Sequence, residues 1–357
     1  MSSINPARRI AFQILTRVET GAWASELLLA HTQDLDSRDA GLAWELVLGT
    51  LRRQAQLDFV INQLAPRKLD IEVRVGLRMG LYQLRHLERV PAHAAVTESV
   101  ELVKAAGKRS AAGLVNAILR RAPRGRVDWP DRATALSCPA WLLGSWERQF
   151  GIETATRIAA AALEPPETHI ASTGRTQDIG AQSVVPLLRI GPGHRFLDVC
   201  AAPGNKTAQA IEAGADAIAC DLHPHRLRAL ADLPCRRVAI DATQPLPFST
   251  GFDRILVDAP CSGTGTLGRN PEIKWRLQPA DLADLHRRQV AILRNSINCL
   301  AAGGMLVYST CSLEREENED VIAEAGGKWS VHRRIPGTNA GDGFFAAVLT
   351  SGLPAND

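Results

Sequence analysis

Two cysteines of this 357-residue chain stand just past short β-rich runs. Cys261 follows Asp258-Ala-Pro at the end of FDRILVDAP, and Cys311 follows Tyr308-Ser-Thr at the end of MLVYSTC. A thiolate is a strong nucleophile, and two thiols with a carboxyl group can share out one demanding reaction. Cytosine C5 is too poor a nucleophile to take a methyl group unaided. A thiolate added to C6 makes C5 enamine-like, and a carboxylic acid bonded to N3 stabilises the charge that builds on the ring. A base must then remove the C5 proton so that the thiolate can leave. Cys261, Cys311 and Asp258 supply all three needs, and the set alone leaves open which thiol attacks. Cys138, Cys220, Cys235 and Cys299 read as small buried hydrophobes, and Cys200 as packing behind a loop.

A second group of residues points to a nucleoside cofactor. Asp198 ends an apolar run and opens into Cys200-Ala201-Ala202-Pro203-Gly204-Asn205-Lys206-Thr207. Small residues in such a turn let backbone N–H groups approach a ligand closely. The pattern is not Gly-x-Gly-x-x-Gly, which argues against a nicotinamide dehydrogenase. Asp221 ends the next run, about twenty residues on, where a carboxylate can accept two ribose hydroxyls. Asp241 ends the third and is placed to meet an adenine amino group, and Asp258 ends the fourth. An Asp at a strand end is often only a helix cap. Four in series describe a nucleoside lying across a sheet edge.

The elements that must hold these residues fall into two grammars. From Arg195 onward the runs RFLDVC, AIACDL, RRVAID, FDRILVDAP and MLVYSTC alternate with helical stretches, which predicts a doubly wound parallel sheet binding ligands at its carboxyl edge. From Pro6 to Arg121 apolar residues recur every three or four positions (Ile10, Ile14, Leu15, Val18; Leu42, Leu46, Val47, Leu51), which predicts a helical bundle. Ala122–Pro139 reads as a linker, followed by a short helical pair that stops at Pro165-Pro166. Seven cysteines without a Cys-x-x-Cys pair suggest neither a zinc site nor a disulfide framework. No apolar run is long enough for a bilayer, and MSSINPARRI has no apolar stretch behind its charges, so a cytoplasmic protein without membrane or metal is expected. Residues 1–130 carry a net charge of +6 within an overall +3. The excess peaks at Lys104, Lys108, Arg109, Arg120, Arg121, Arg124 and Arg126, the footprint of a phosphate-backbone binder or a solvated helix face.

DVCAAPGNKT, VDAPCSGTG, RNPEIKW, YSTCS, the Glu316-Glu-Asn318 run and Gly341-Asp-Gly-Phe-Phe345 resemble the motif series of the Nop/Sun family of RNA 5-methylcytosine methyltransferases. VPAHAAVTESVELVK and GLVNAILRR resemble the NusB-like RNA-binding domain, and the two together are the layout of a bacterial small-subunit ribosomal RNA methyltransferase. The resemblance implies an α/β chain: a Rossmann-like S-adenosylmethionine-dependent methyltransferase sheet with an N-terminal all-α NusB-like domain. The expected divisions are 1–126, a linker with short helices over 127–166, and 167–357. It implies Cys311 as nucleophile, Cys261 as the residue that aids release, Asp258 on the target base and Lys206 near the reacting centre. Cofactor contacts are implied at Cys200, Ala201, Ala202, Pro203, Gly204, Asn205, Lys206, Asp221, Asp241 and Asp258. The implied reaction is C5 methylation of cytosine in 16S ribosomal RNA by a monomer. Competing expectations are the same chemistry on transfer RNA or DNA, or an inactive RNA-binding protein.

Two positions depart from the family pattern. Asn205 stands where Gly is usual. If that position needs positive φ, Asn is the least costly substitute. Between Pro166 and Gln177 the family usually carries a small RNA-recognition lobe, and only ETHIASTGRT bridges the gap here. Catalysis is expected to persist, whereas RNA affinity and target choice lose that lobe's contribution.

Overall fold

The three- and four-residue apolar spacing becomes a run of helices in the computed structural model, which describes residues 4–248 and 251–350. They are α1 (Pro6–Val18), α2 (Ala24–His31), α3 (Ser37–Arg52), α4 (Gln54–Leu64), α5 (Ile71–His86), α6 (Ala92–Ala105) and α7 (Ala112–Arg121). Their starts are written locally. Asn5 caps α1 by accepting from the Arg8 N–H at 3.2 Å ahead of Pro6, and Asp36 caps α3 by accepting from the Asp39 N–H at 2.8 Å. Ile14, Leu28, Leu46, Leu57, Ile61, Leu77 and Met79 are fully buried in one core. The predicted stripes therefore face inward, and their burial is the main stabilising term of this unit.

The contact pattern divides the chain into two units, one of residues 1–144, 159–165 and 267–276, the other of residues 145–158, 166–266 and 277–357. Within the first, the Ala122–Pro139 stretch is packed on the helices rather than extended. Trp129 sits edge-on to Phe59 at 5.8 Å, and Gln56 Nε2 donates to the Ala135 carbonyl at 2.6 Å. Residues 267–276 also belong to this unit although they come from the far half of the sequence. Fully buried Lys274 donates to the carbonyls of Arg52 at 2.9 Å and Ser137 at 2.8 Å, and Trp275 Nε1 donates to the Leu51 carbonyl at 2.8 Å. Burial pulls Lys274 down to about 7.

The second unit is built on a sheet of seven strands: β1 (Arg195–Asp198), β2 (Asp216–Asp221), β3 (Arg236–Ala239), β4 (Phe252–Asp258), β5 (Leu300–Thr310), β6 (Trp329–Arg334) and β7 (Phe344–Thr350). Their order is β3-β2-β1-β4-β5-β7-β6, with β1 to β5 parallel and β7 antiparallel to both neighbours. The five predicted runs are present as the parallel strands. The β6 and β7 pair was not foreseen, because WSVHRR is mostly polar and the Gly341–Phe345 segment reads as a motif rather than a strand. Phe196, Leu256 and Val307 fill one face of the sheet, and Leu197, Val257, Leu306, Tyr308 and Phe345 the other. Both faces are buried, as parallel sheets require. The strand order reverses between β1 and β4, which places a ligand crevice at their carboxyl ends.

Candidate functional site

Asp258 and Ser309 are register partners at the ends of β4 and β5, so the segments leaving these strands emerge side by side. The two cysteine segments meet there, with the Cys261 and Cys311 Sγ atoms 3.5 Å apart. Asp258 accepts from Ser309 Oγ at 2.8 Å and from Lys206 Nζ at 2.6 Å. Lys206 lies in the first turn of the helix Asn205–Glu212, its Nζ 5.4 Å from the centre of the Phe344 ring. Burial works against its charge, but Asp258 outweighs burial and raises the Lys206 pKa, with a further contribution from Cys311. Lys206 is therefore a fixed cation close to that thiol. The hydrogen bond with Cys311, followed by burial, pushes the Cys261 thiol well above its ordinary value. The four residues expected to carry the chemistry, Cys261, Cys311, Asp258 and Lys206, are brought into one place.

The cofactor side is built by the turn after β1. Gly204 caps the Asn205–Glu212 helix at φ +101°, and a Cβ there would lie 2.6 Å from Leu230 Cγ, so only glycine fits. Asn205 does not need positive φ, since it already begins the helix. The tolerance of Asn for the left-handed region is thus not called upon. Its Nδ2 instead donates to the Thr176 carbonyl at 3.0 Å. Thr176 closes the short segment between Pro166 and Gln177: it pairs with Ile170, and the Ala171 N–H donates to the Arg175 carbonyl at 2.9 Å. The two departures from the family pattern therefore meet in one contact.

Asp198 is buried, accepts from Thr207 Oγ1 at 2.7 Å through Oδ2, and leaves Oδ1 without a partner. Burial raises its pKa to about 7. Asp221, also buried, accepts from the His223 N–H at 3.0 Å and the Ala202 N–H at 3.4 Å, with Arg226 at 3.6 Å. Asp241 is exposed and takes up Thr243, whose bonds lower its pKa. Ala201 is buried, Ala202 half-buried and Pro203 exposed along the same turn, and burial pushes the Cys200 thiol up.

Several residues of the site were not singled out from sequence. Ser262 and Ser312, each directly after a cysteine, both bond to Glu317. Glu314, raised by burial to about 7, accepts from Trp146 Nε1 at 2.9 Å. The repeated Cys-Ser pair was the available signal for the serines. The basic cluster is thinner than the sequence suggests. Lys104 pairs with Glu101 at 2.7 Å, Lys108 with Asp70 at 2.8 Å, and Arg126 approaches Asp128 at 3.8 Å. Arg109, Arg120, Arg121 and Arg124 are exposed. Among the described residues no group of His, Cys, Asp and Glu could hold a metal, and no helix is long and apolar enough to cross a membrane.

Residues 185–350 match a family model described as 16S rRNA methyltransferase RsmB/F, and residues 5–124 match the NusB family. A probable ribosomal RNA small subunit methyltransferase B of Bacillus subtilis (strain 168) is 32% identical, over 88% of this chain and 87% of that protein. The chain belongs to the ribosomal RNA small subunit methyltransferase B family. The Citrobacter koseri member of that name is 30% identical over 96% of this chain and 98% of its own. The solved structure of PH0851 shares the fold at a TM-score of 0.78 with 17% identity, covering 98% of this chain and 99% of that one. A methyltransferase homolog protein from Pyrococcus horikoshii aligns at a TM-score of 0.51 with 23% identity, over 61% of this chain and 97% of its own. The expected family, the methyltransferase sheet and the NusB-like helices are borne out, and the family's chemistry is S-adenosylmethionine-dependent methyl transfer to RNA.

Proposed function

We propose that this protein methylates C5 of a cytosine in 16S ribosomal RNA, through an adduct between Cys311 and C6 of the base. The observation that carries the reading is the 3.5 Å approach of two thiols beside the Lys206–Asp258 pair, at the crevice where the strand order reverses. Neither the separate cysteine motifs nor the fold alone would ask for that arrangement.

The residues fit S-adenosylmethionine. The lone buried Oδ1 of Asp198 suits the ammonium of its methionine part, Asp221 suits the ribose hydroxyls, and the glycine turn admits close backbone approach. When bound, the cofactor supplies an electrophilic methyl. The Cys311 thiolate, with Lys206 beside it, adds to C6 and forms the S–C6 bond. The Lys206–Asp258 pair would serve the N3 and N4 side of the ring, the ammonium donating to N3 and the carboxylate accepting from the amino group. After C5 has taken the methyl, Cys261 acts as a relay, accepting the C5 proton as it gives its own thiol proton to solvent; the C5–H electrons restore the C5=C6 bond, the S–C6 bond breaks with its pair on Cys311, and 5-methylcytosine leaves. A stacked base could not reach these atoms, so a single-stranded or loop cytosine is the fitting substrate.

Bisulfite sequencing of ribosomal and transfer RNA from cells with and without the gene tests this directly. One 16S cytosine should lose its methylation mark without the gene. A loss confined to transfer RNA would move the substrate, and no loss in either would overturn the reading.

A further inference from the structure

Glu317 lies just past Cys311, is fully buried, and touches neither thiol through a hydrogen bond. Its carboxylate takes four donors. Oε1 accepts from the Ser262 N–H at 2.8 Å and from Gln289 Nε2 at 2.9 Å; Oε2 accepts from Ser312 Oγ at 2.5 Å and from the Ser262 hydroxyl. Four is about the full capacity of a carboxylate. Ser262 is the residue after Cys261, and Ser312 the residue after Cys311. The two hydroxyls also lie 3.1 Å apart. Gln289 donates in addition to the Pro260 carbonyl at 2.9 Å, on the other side of Cys261. Tyr308 from the end of β5 holds the Glu317 carbonyl at 2.6 Å, so the glutamate itself is anchored.

We propose that Glu317 is a positioning residue that locks the two cysteine segments together through one carboxylate, fixing the Cys261–Cys311 distance that the reaction needs. It rests on the reading above of the two thiols as a nucleophile and a release residue. The segments leave different strands, and β-pairing stops at Asp258 and Ser309, before either thiol. Beyond that point something else must hold register. The Gly265 N–H does reach the Cys311 carbonyl at 2.8 Å, but Glu317 binds both segments at the residue next to each sulfur. A carboxylate serves because it accepts from every side at once.

The test uses the full-length protein carrying Glu317→Gln, with Ser312→Ala as a second variant that removes one link and leaves the carboxylate. Three quantities are read: the rate at which diamide closes a Cys261–Cys311 disulfide, the affinity for S-adenosylmethionine, and kcat and KM on RNA. An amide turns one of the two acceptor oxygens into a donor, so either the Ser262 N–H with Gln289 or the two serine hydroxyls lose their acceptor, and the sulfurs should drift. Disulfide closure is expected to slow at least about tenfold, and kcat to fall by about 100-fold, the effect of misplacement on the order of 1 Å. Cofactor affinity and KM should stay near the wild-type values, a split that general unfolding would not give. Wild-type closure and wild-type kcat in a folded Glu317→Gln protein overturn the proposal. If that variant no longer binds S-adenosylmethionine, unchanged closure and kcat in Ser312→Ala overturn it instead. A wild-type protein that transfers no methyl, yet closes the disulfide at a rate sensitive to Glu317, upholds the positioning role and rejects the proposed function.

Discussion

The two cysteines share one location and differ in surroundings. Cys261 shares a hydrogen bond with Cys311, and that bond, followed by burial, raises its thiol pKa. The roles can therefore be separated by how each variant fails. Cys311→Ser should form no covalent RNA adduct and transfer no methyl. Cys261→Ser should methylate and then stall, so that a protein–RNA complex accumulates on a denaturing gel. A trapped band in the first variant and none in the second would mean the roles are exchanged. Asp198 gives a second expectation. Burial holds its pKa near 7, so below that pH it is largely a neutral acid. A bound ammonium favours the carboxylate, so binding must expel the proton where it is present. Affinity for S-adenosylmethionine should rise with pH up to about 7 and level off above. At pH 6, calorimetry in buffers of different ionisation enthalpy should report release of about one proton per cofactor. No release would detach Asp198 from the cofactor's cation.

At the scale of elements, charge in the sequence and charge on the surface are different quantities. Lys104 and Lys108 belong to a basic run in sequence, but Glu101, Asp70 and Glu72 lie beside them in the helical unit. The exposed cations sit toward the end of α7 and just beyond it. We propose these as the phosphate contacts. Replacing Arg120, Arg121 and Arg124 together with Ala should flatten the dependence of log affinity on log salt by up to about two to three units, given roughly 0.7–0.9 per phosphate contact. Replacing Lys104 and Lys108 should change the slope much less. An unaltered slope in the triple variant would reduce the cluster to a solvated face. The bridge over residues 167–176 is the second element to consider. Tied by Asn205 and by the Arg175–Asp232 pair at 2.6 Å, it is a closed turn.

At the scale of the whole molecule, the sequence halves and the structural units do not coincide. Residues 267–276 belong to the helical unit and supply it with Lys274, Trp275 and Glu272, the last accepting from the Ala24 N–H at 3.0 Å. A fragment of residues 1–165 lacks these partners and leaves the carbonyls of Arg52, Ser137 and Leu51 without their donors. It should melt at least about 5 °C below the corresponding transition of the intact protein, equivalent to roughly 2 kcal/mol for a unit of this size. Adding a peptide spanning 267–276 should recover part of the loss, as any ligand of the folded state does. A fragment that melts with the intact protein and ignores the peptide would show the segment to be dispensable.

What the sequence determined by itself was local or nearly so. Apolar period placed the helices and the five parallel strands, because burial of one face or both is written in the order of residues. The motifs around Cys261, Cys311, Lys206 and Asp258 carried the expectation of that chemistry, because two cysteines and an acid at neighbouring strand ends point to it together where each singly would not. Tertiary structure decided what depends on distant partners. The β6 and β7 pair is strand because β5 offers it an edge, not because its pattern alternates. The pairing of Lys108 with Asp70, the burial that raises Asp198, and the placement of Lys274 in the helical unit arise from residues far away in the chain. Glu317 is the clearest case. In sequence it lies within the Glu316-Glu-Asn318 run with no role of its own, and only folding brings two serines and a glutamine onto its carboxylate.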